Sequence, residues 1–169
     1  MTAAQAPESP GPEHSSPWNG GTVQHLSIYL AGEIHSDWRE EFRRHLADLE
    51  VDADFLGPQT HHDRSDDIGE LILGEQPNAR YRDLMGASVN TLRTRVHLRM
   101  ADVVVACFTD KYRQWNTASD AGAAVAAGIP LVLVRPEEHI HALKELDAQA
   151  DLTVETLQQA ARAVAYILE

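Results

Sequence analysis

Two apolar runs in the second half of the chain, "DVVVACF" (102–108) and "PLVLVRP" (130–136), lack the apolar-polar alternation of a half-exposed strand. A strand with no polar side has to be covered on both faces, which confines it to the interior of a parallel sheet layered between helices. Between the runs lies "QWNTASDAGAAVAAGIP" (114–130), an Ala-rich stretch closed by Gly128 and Pro130. It has the length and the stop signals of the crossover helix that two parallel strands require.

The same alternation extends in both directions. "HLSIYLAG" reads as a first strand, and Ser36 after it can cap a helix whose Trp38, Phe42, Leu46 and Leu49 share one face. "VDADFLGP" is a second strand stopped by Gly57 and Pro58. "QTHHDRSDDIGELILGEQPN" is too long for an ordinary connection and is read as a functional loop or a short helical insertion. Met85, Val89, Leu92, Val96 and Met100 then keep helical spacing, although Gly86 weakens the start of that helix. Residues 137–149 read as a loop with a short helix, "LTV" as a short last strand, and Leu157, Ala161, Val164 and Leu168 as the inner stripe of a final helix. The whole predicts an α/β domain, a doubly wound, flavodoxin- or Rossmann-like parallel sheet of about five strands with helices on both faces. No internal repeat is present.

The 169 residues, 43% hydrophobic, suffice for one domain, placed at 23–169. The first 22 residues, rich in Pro, Gly and Ser, are expected to form a flexible tail, with Trp18 able to dock on the body. Fourteen Lys and Arg against 26 Asp and Glu give a net charge of -12, which opposes nucleic acid and anionic membranes and points to a small-molecule partner. A single cysteine, Cys107, and the lack of a signal-like or membrane-spanning segment predict a cytoplasmic protein.

In sheets of this kind ligands bind beyond the carboxyl ends of the strands. The segments there, "GEIHSDWR", "GPQTHHDRSDD", "TDKYRQWNTASD" and "RPEEHIH", are the polar, His-rich and aromatic parts of the chain. Asp120 stands out near the start of the Ala-rich helix. It can be a structural residue, since Thr117 to Asp120 has capping-box spacing and an acid suits a helix N-terminus. It can equally be a functional carboxylate, held beside the strand ends by a helix whose Gly122, Ala123, Ala124, Ala126 and Ala127 allow close approach to the sheet.

"YLAG", "ADVVVACFTD" and "NTASDAGAAVAAGIPLVLVRP" resemble the nucleoside 2-deoxyribosyltransferase-like superfamily of nucleoside transferases and nucleotide N-glycosidases. In that superfamily a helix begins Gly-Thr-x-x-Glu-x-Gly-x-Ala with the Glu as nucleophile. Asn116, Thr117, Asp120, Gly122 and Ala124 match those positions. Over 26–169, "YLAGEIHSDWRE", "HDRSD", "IGELILGEQPNA" and "QWNTA" resemble the YtoQ branch. The resemblance implies cofactor-free covalent catalysis: Asp120 attacks C1′ of a nucleoside or nucleoside monophosphate, displaces the base, and passes the sugar to water or a second base. Tyr29 matches the tyrosine that positions the nucleophile, although read alone it is a core aromatic. The resemblance also implies a homodimer or higher assembly, with "RPEEHIHALKEL" completing a neighbour's site. Three positions depart from the pattern: Asp120 is a methylene shorter than Glu, Gln114 stands where relatives contact the sugar, and Thr94 where they place a second acid.

Further expectations follow for the substrate. Gly32, Ser36, Asp110, Gln114, Asn116 and Thr117 lie at or just after strand ends and are read as substrate-binding. Arg39, Arg64, Arg93 and Arg95 are each able to pair with a phosphate, and Arg39 and Arg64 are the preferred pair because both follow strand ends. Trp115 is expected to stack on a base. His61, His62, Asp63, Asp66 and Asp67, with His139 and His141, raise metal binding and a metal-dependent hydrolase. The spacing lacks a helical zinc motif, so no metal is assigned. The alternative to an enzyme is a nucleotide-binding module that kept the cleft and lost the acid machinery.

Overall fold

In the computed structural model, residues 25–110 and 114–169 are described. The tail and Trp18 lie outside them, as do Lys111 to Arg113. The chain runs β1 (Leu26–Gly32), α1 (Trp38–Ala47), β2 (Ala53–Leu56), α2 (His62–Leu73), α3 (Ala79–Met100), β3 (Val103–Cys107), α4 (Trp115–Ala126), β4 (Leu131–Val134), a 3₁₀ turn (Glu137–His139), α5 (Lys144–Asp147), β5 (Leu152–Val154) and α6 (Leu157–Tyr166). The five strands form one sheet in the order β2-β1-β3-β4-β5, and every pairing is parallel. This is the doubly wound α/β architecture that the sequence predicts, with strand order reversing between β1 and β3.

Residue alternation along β1 and β3 divides the core between the two faces. Leu26, Ile28, Leu30, Val103, Val105 and Cys107 pack with Trp38, Phe42 and Leu46 of α1 and Ala160, Ala161 and Val164 of α6. Tyr29, Ala31, Val104 and Ala106 face the other way, against Leu98 of α3 and Ala121 and Ala124 of α4. All five residues of β3 and all four of β4 are buried, as their unbroken apolar character requires. Each such side chain contributes about 1.5–3 kcal/mol by leaving water. A charge at Val105 would have no polar partner on either side.

Several local expectations are corrected. Asp37, not Ser36, precedes the first turn of α1, and it makes no side-chain cap. Leu49 lies past the end of α1 and is 42% exposed. The polar stretch after β2 folds into α2, a full 12-residue helix. The stripe on α3 is not a core stripe, since Leu92, Val96 and Met100 are exposed and the buried residues are Gly86 and Leu98. On α4, Ala121 and Ala124 face the sheet, Ala123 lines the cavity described below, and Gly122, Ala126 and the following Ala127 are exposed. A Cβ at Gly122 would meet nothing within 4 Å, so close packing is not its role.

The helices α2 and α3 pack on each other through glycine. A Cβ at Gly69 would lie 2.5 Å from Gly86 N and 2.8 Å from the Met85 carbonyl carbon. Asn90 Nδ2 fastens the same contact by donating to Ser65 O at 3.0 Å and to Ser65 Oγ at 3.2 Å. The pair therefore stands as a wall at the carboxyl end of the sheet.

Candidate active site

A cavity of about 730 Å³ opens at the point where strand order reverses, beyond the ends of β1 and β3. Its size is that of a small-molecule site. Gly32, Glu33, Ile34 and His35 line it from the β1–α1 loop, and Pro58 and Gln59 from the end of β2. His62, Ser65 and Asp66 of α2 face Asn90, Thr91, Thr94 and Arg95 of α3, and Gln114, Asn116, Thr117, Ser119 and Asp120 close the α4 side.

Asp120 occupies the second turn of α4, which begins at Trp115, so it is not a cap. Its Oδ2 accepts a hydrogen bond from the Tyr29 hydroxyl at 2.8 Å. Tyr29 is fully buried, and its oxygen also lies 3.5 Å from Thr94 Oγ1. A buried phenol needs a polar partner, and this one finds it in a carboxylate. Burial and the negative charge of Asp120 both raise the Tyr29 pKa, keeping it a proton-bearing donor. Burial raises Asp120 above its ordinary 3.8, opposed by the Tyr29 hydrogen bond and by the positive charge of Arg39. The result is a partly desolvated carboxylate with one oxygen held and the other uncommitted to Tyr29, the condition that favours nucleophilic use.

Arg39 and Arg64 do not form the phosphate pair expected of them. Arg39 is 7% exposed and its guanidinium donates to the carbonyls of Glu33 (2.6 Å), Gly32 (2.8 Å) and Leu30 (3.3 Å). These carbonyls lie toward and beyond the end of β1, where ladder partners run out, and the arginine supplies them with donors, joined at Glu33 O by Trp38 Nε1 at 3.0 Å. Its burial lowers the guanidinium pKa to about 10, and its centre lies 4.5 Å from the Trp38 ring. Arg64 is exposed on α2 and does not line the cavity. Arg95 does line it, alone among the arginines and lysines of the described residues.

The remaining expected residues divide similarly. Gly32, Gln114, Asn116 and Thr117 line the cavity, with Thr117 buried. Gly32 is required by close approach, since a Cβ there would lie 2.3 Å from Trp38 Cζ2. The Gln114 side chain donates to Thr109 O at 2.9 Å and accepts from Thr109 N at 3.3 Å, bridging the ends of the β3–α4 connection. Ser36, Asp110 and Trp115 are not in the lining. The Ser36 hydroxyl donates to Glu33, and Trp115 is 74% exposed. No base-stacking position is formed by Trp115 in this arrangement.

Sequence reasoning did not single out Glu33, His35, Asn90 or Thr91 for the cavity. Desolvation alone would raise Glu33, but hydrogen bonds from the Ser36 hydroxyl and the His35 and Ser36 amides outweigh it and hold the carboxylate below its ordinary value. An acid three residues before a Ser at a helix entrance is the signal that could have identified this turn. The adjacent histidines separate: His61 Nδ1 accepts from Arg64 N at 3.4 Å, capping α2, whereas His62 lines the cavity. Among the described residues no three of His, Cys, Asp and Glu are grouped so as to hold a metal ion. No helix among them is long and apolar enough to cross a membrane.

A family model described as nucleoside 2-deoxyribosyltransferase YtoQ matches residues 29–168. The chain is 51% identical over 142 residues to YtoQ of Bacillus subtilis (strain 168), covering 84% of this chain and 96% of that protein. Among solved structures, a 2-deoxyribosyltransferase from the psychrotolerant bacterium Bacillus psychrosaccharolyticus matches with a TM-score of 0.54 and 19% identity, over 82% of this chain and 95% of that one. A conserved protein from Enterococcus faecalis V583 matches with a TM-score of 0.54 and 18% identity, over 84% and 98%. At these identities the two structures share the fold. The chain belongs to the YtoQ family of nucleoside 2-deoxyribosyltransferase-like proteins.

Proposed function

We propose that this protein cleaves the N-glycosidic bond of a nucleoside or nucleoside monophosphate through a covalent glycosyl-Asp120 intermediate, passing the sugar to water or to a second base. The observation that carries this reading is the Tyr29–Asp120 hydrogen bond of 2.8 Å beside the cavity at the reversal of strand order. An uncommitted carboxylate oxygen facing a polar cavity is placed to attack a sugar carbon, and its charge also stabilises the oxocarbenium character that develops there. The family supports a nucleoside as the sugar donor.

Arg95 is the group we assign to a 5′-phosphate, in place of Arg39 and Arg64. We further propose action in the cytoplasm as a homodimer or larger assembly. Leu71, Ile72, Leu73, Leu92 and Met100 of α2 and α3 are exposed, an apolar surface suited to a second copy. The segment "RPEEHIHALKEL" gives no residue to its own chain's cavity, which leaves it free for a neighbour's.

The test is incubation with a panel of nucleosides and nucleoside monophosphates, read by release of free base and by the mass of the trapped protein. Base release by the wild type, a sugar adduct on residue 120, and neither in Asp120→Asn are expected. Full activity in Asp120→Asn removes that residue from the mechanism. Ligand binding without base release identifies the non-catalytic nucleotide-binding module instead.

A further inference from the structure

We propose that His62, held by Asp66, is the proton donor for the departing base, an inference that rests on the glycosyl-transfer reading above. The reaction forms the Asp120–C1′ bond and breaks the C1′–N bond, whose electron pair goes to the base. A base leaving as an anion is slow unless a proton arrives at a ring nitrogen as the bond breaks. Thr94, on the helix before β3, is too weak an acid to supply it.

The ionisable side chains of the cavity narrow the choice. Tyr29 donates to Asp120 on the nucleophile's side. Glu33 is held ionised by three donors from His35 and Ser36. Arg95 is the group already assigned to the phosphate. Two histidines remain, His35 and His62, whose rings lie 6.0 Å apart; of them His62 has Asp66 one turn along the same helix, and both His62 and Asp66 line the cavity. His62 Nδ1 lies 3.7 Å from Asp66 Oδ2 and 3.6 Å from Asp63 Oδ1. Carboxylates beside Nδ1 orient the ring, with Nε2 on the opposite side. The distances are those of an open site, and such contacts tighten when substrate is bound.

Placement along α3 supports the pairing. Asp120 and Thr94 both meet the Tyr29 oxygen, which sets the level of the nucleophile on α3. Asn90, four residues earlier and so about 6 Å along the helix, holds Ser65, the neighbour of Asp66. Along α3 the contact that holds the acid wall is thus about one helical turn from the level of the nucleophile, an offset that leaves room for a base attached at C1′. His62 is 61% exposed in the open cavity, where a bound base would cover it. In the first half-reaction His62 gives its proton to the base and becomes neutral. In the second it takes a proton from the water or incoming base that attacks C1′, and Asp120 is released as carboxylate.

The experiment compares a nucleoside cleaved by the wild type with the 4-nitrophenyl glycoside of the same sugar, whose phenolate departs without a proton. His62→Gln is expected to lose about 10²- to 10⁴-fold on the nucleoside but to release the first equivalent of nitrophenolate, which reports the first half-reaction alone, within a few-fold of the wild-type rate. Asp66→Asn should show the same split with a smaller loss, which marks it as a positioning residue, and Asp120→Asn should lose both substrates. Equal losses on the two substrates, no loss on either, or the split appearing in His35→Gln instead would overturn the assignment. A wild type that releases no base from any substrate overturns the glycosyl-transfer reading itself, and this inference with it.

Discussion

Replacing Tyr29 by Phe removes one oxygen and leaves the ring to fill the same buried space, so the fold should persist while Asp120 loses its hydrogen bond. The bond is charge-assisted when Asp120 is ionised, and such bonds contribute about 1.5–3 kcal/mol. It acts selectively on the ionised form, so its loss should raise the Asp120 pKa further. Burial already raises that pKa, and in the variant only the charge of Arg39 would oppose it. The nucleophile works only when ionised, so activity falls as pH falls through its pKa. The acidic limb of kcat/KM for base release should therefore move to higher pH, and at a pH below it the variant should lose about ten- to a hundredfold. An acidic limb that stays in place, or moves to lower pH, would refute the view that Tyr29 holds Asp120 in its ionised form.

Asp120 should also destabilise the fold when ionised. A carboxyl whose folded pKa lies above its unfolded value holds its proton more tightly in the folded state, so stability is present below pH 3.8 and declines as pH rises through the folded pKa. Asp120→Asn should then be at least as stable as wild type at pH 7 in urea unfolding, and a marked loss would restore a structural role. Arg95→Ala should weaken a nucleoside monophosphate about ten- to a hundredfold more than the matching nucleoside in calorimetric titration, with Arg64→Ala affecting neither; equal losses would remove Arg95 as the phosphate reader. Gly69→Ala places a Cβ against backbone at 2.5 Å and should cost about 1–3 kcal/mol, more than Gly86→Ala at 3.2 Å from Asp66 O. Equal urea midpoints for Gly69→Ala and wild type would show that the two helices are not in tight contact.

The parallel sheet was legible because β1, β3 and β4 are buried on both faces and carry little else than apolar residues. Asp120 was visible as an unusual acid, but its capping and functional readings could be separated only once α4 was seen to begin at Trp115. The arginines were misjudged for a physical reason. Carbonyls at the end of a buried strand need donors as much as a phosphate does, and Arg39 answers that need. The stripe on α3 misled because that helix has three neighbours: Leu98 faces the sheet, Gly86 faces α2, and Asn90, Thr91 and Thr94 face the cavity. No single period describes such a surface. The place of His62 and Asp66 depends on where α2 crosses α3, a glycine contact that leaves no hydrophobic trace in the sequence.

That crossing also separates two properties that enzymes often find hard to change independently. Of the residues of α2, only Gly69 is buried, while His62, Ser65 and Asp66 look into the cavity. The strands and α4 hold Asp120, and the core that stabilises them takes no buried residue from α2. Substitutions along the cavity side of α2 should therefore change what the cavity accepts with little penalty to folding, provided the two glycines remain. Selectivity in this scaffold is an exchangeable panel mounted on a fixed frame, and divergence among relatives should concentrate on that panel.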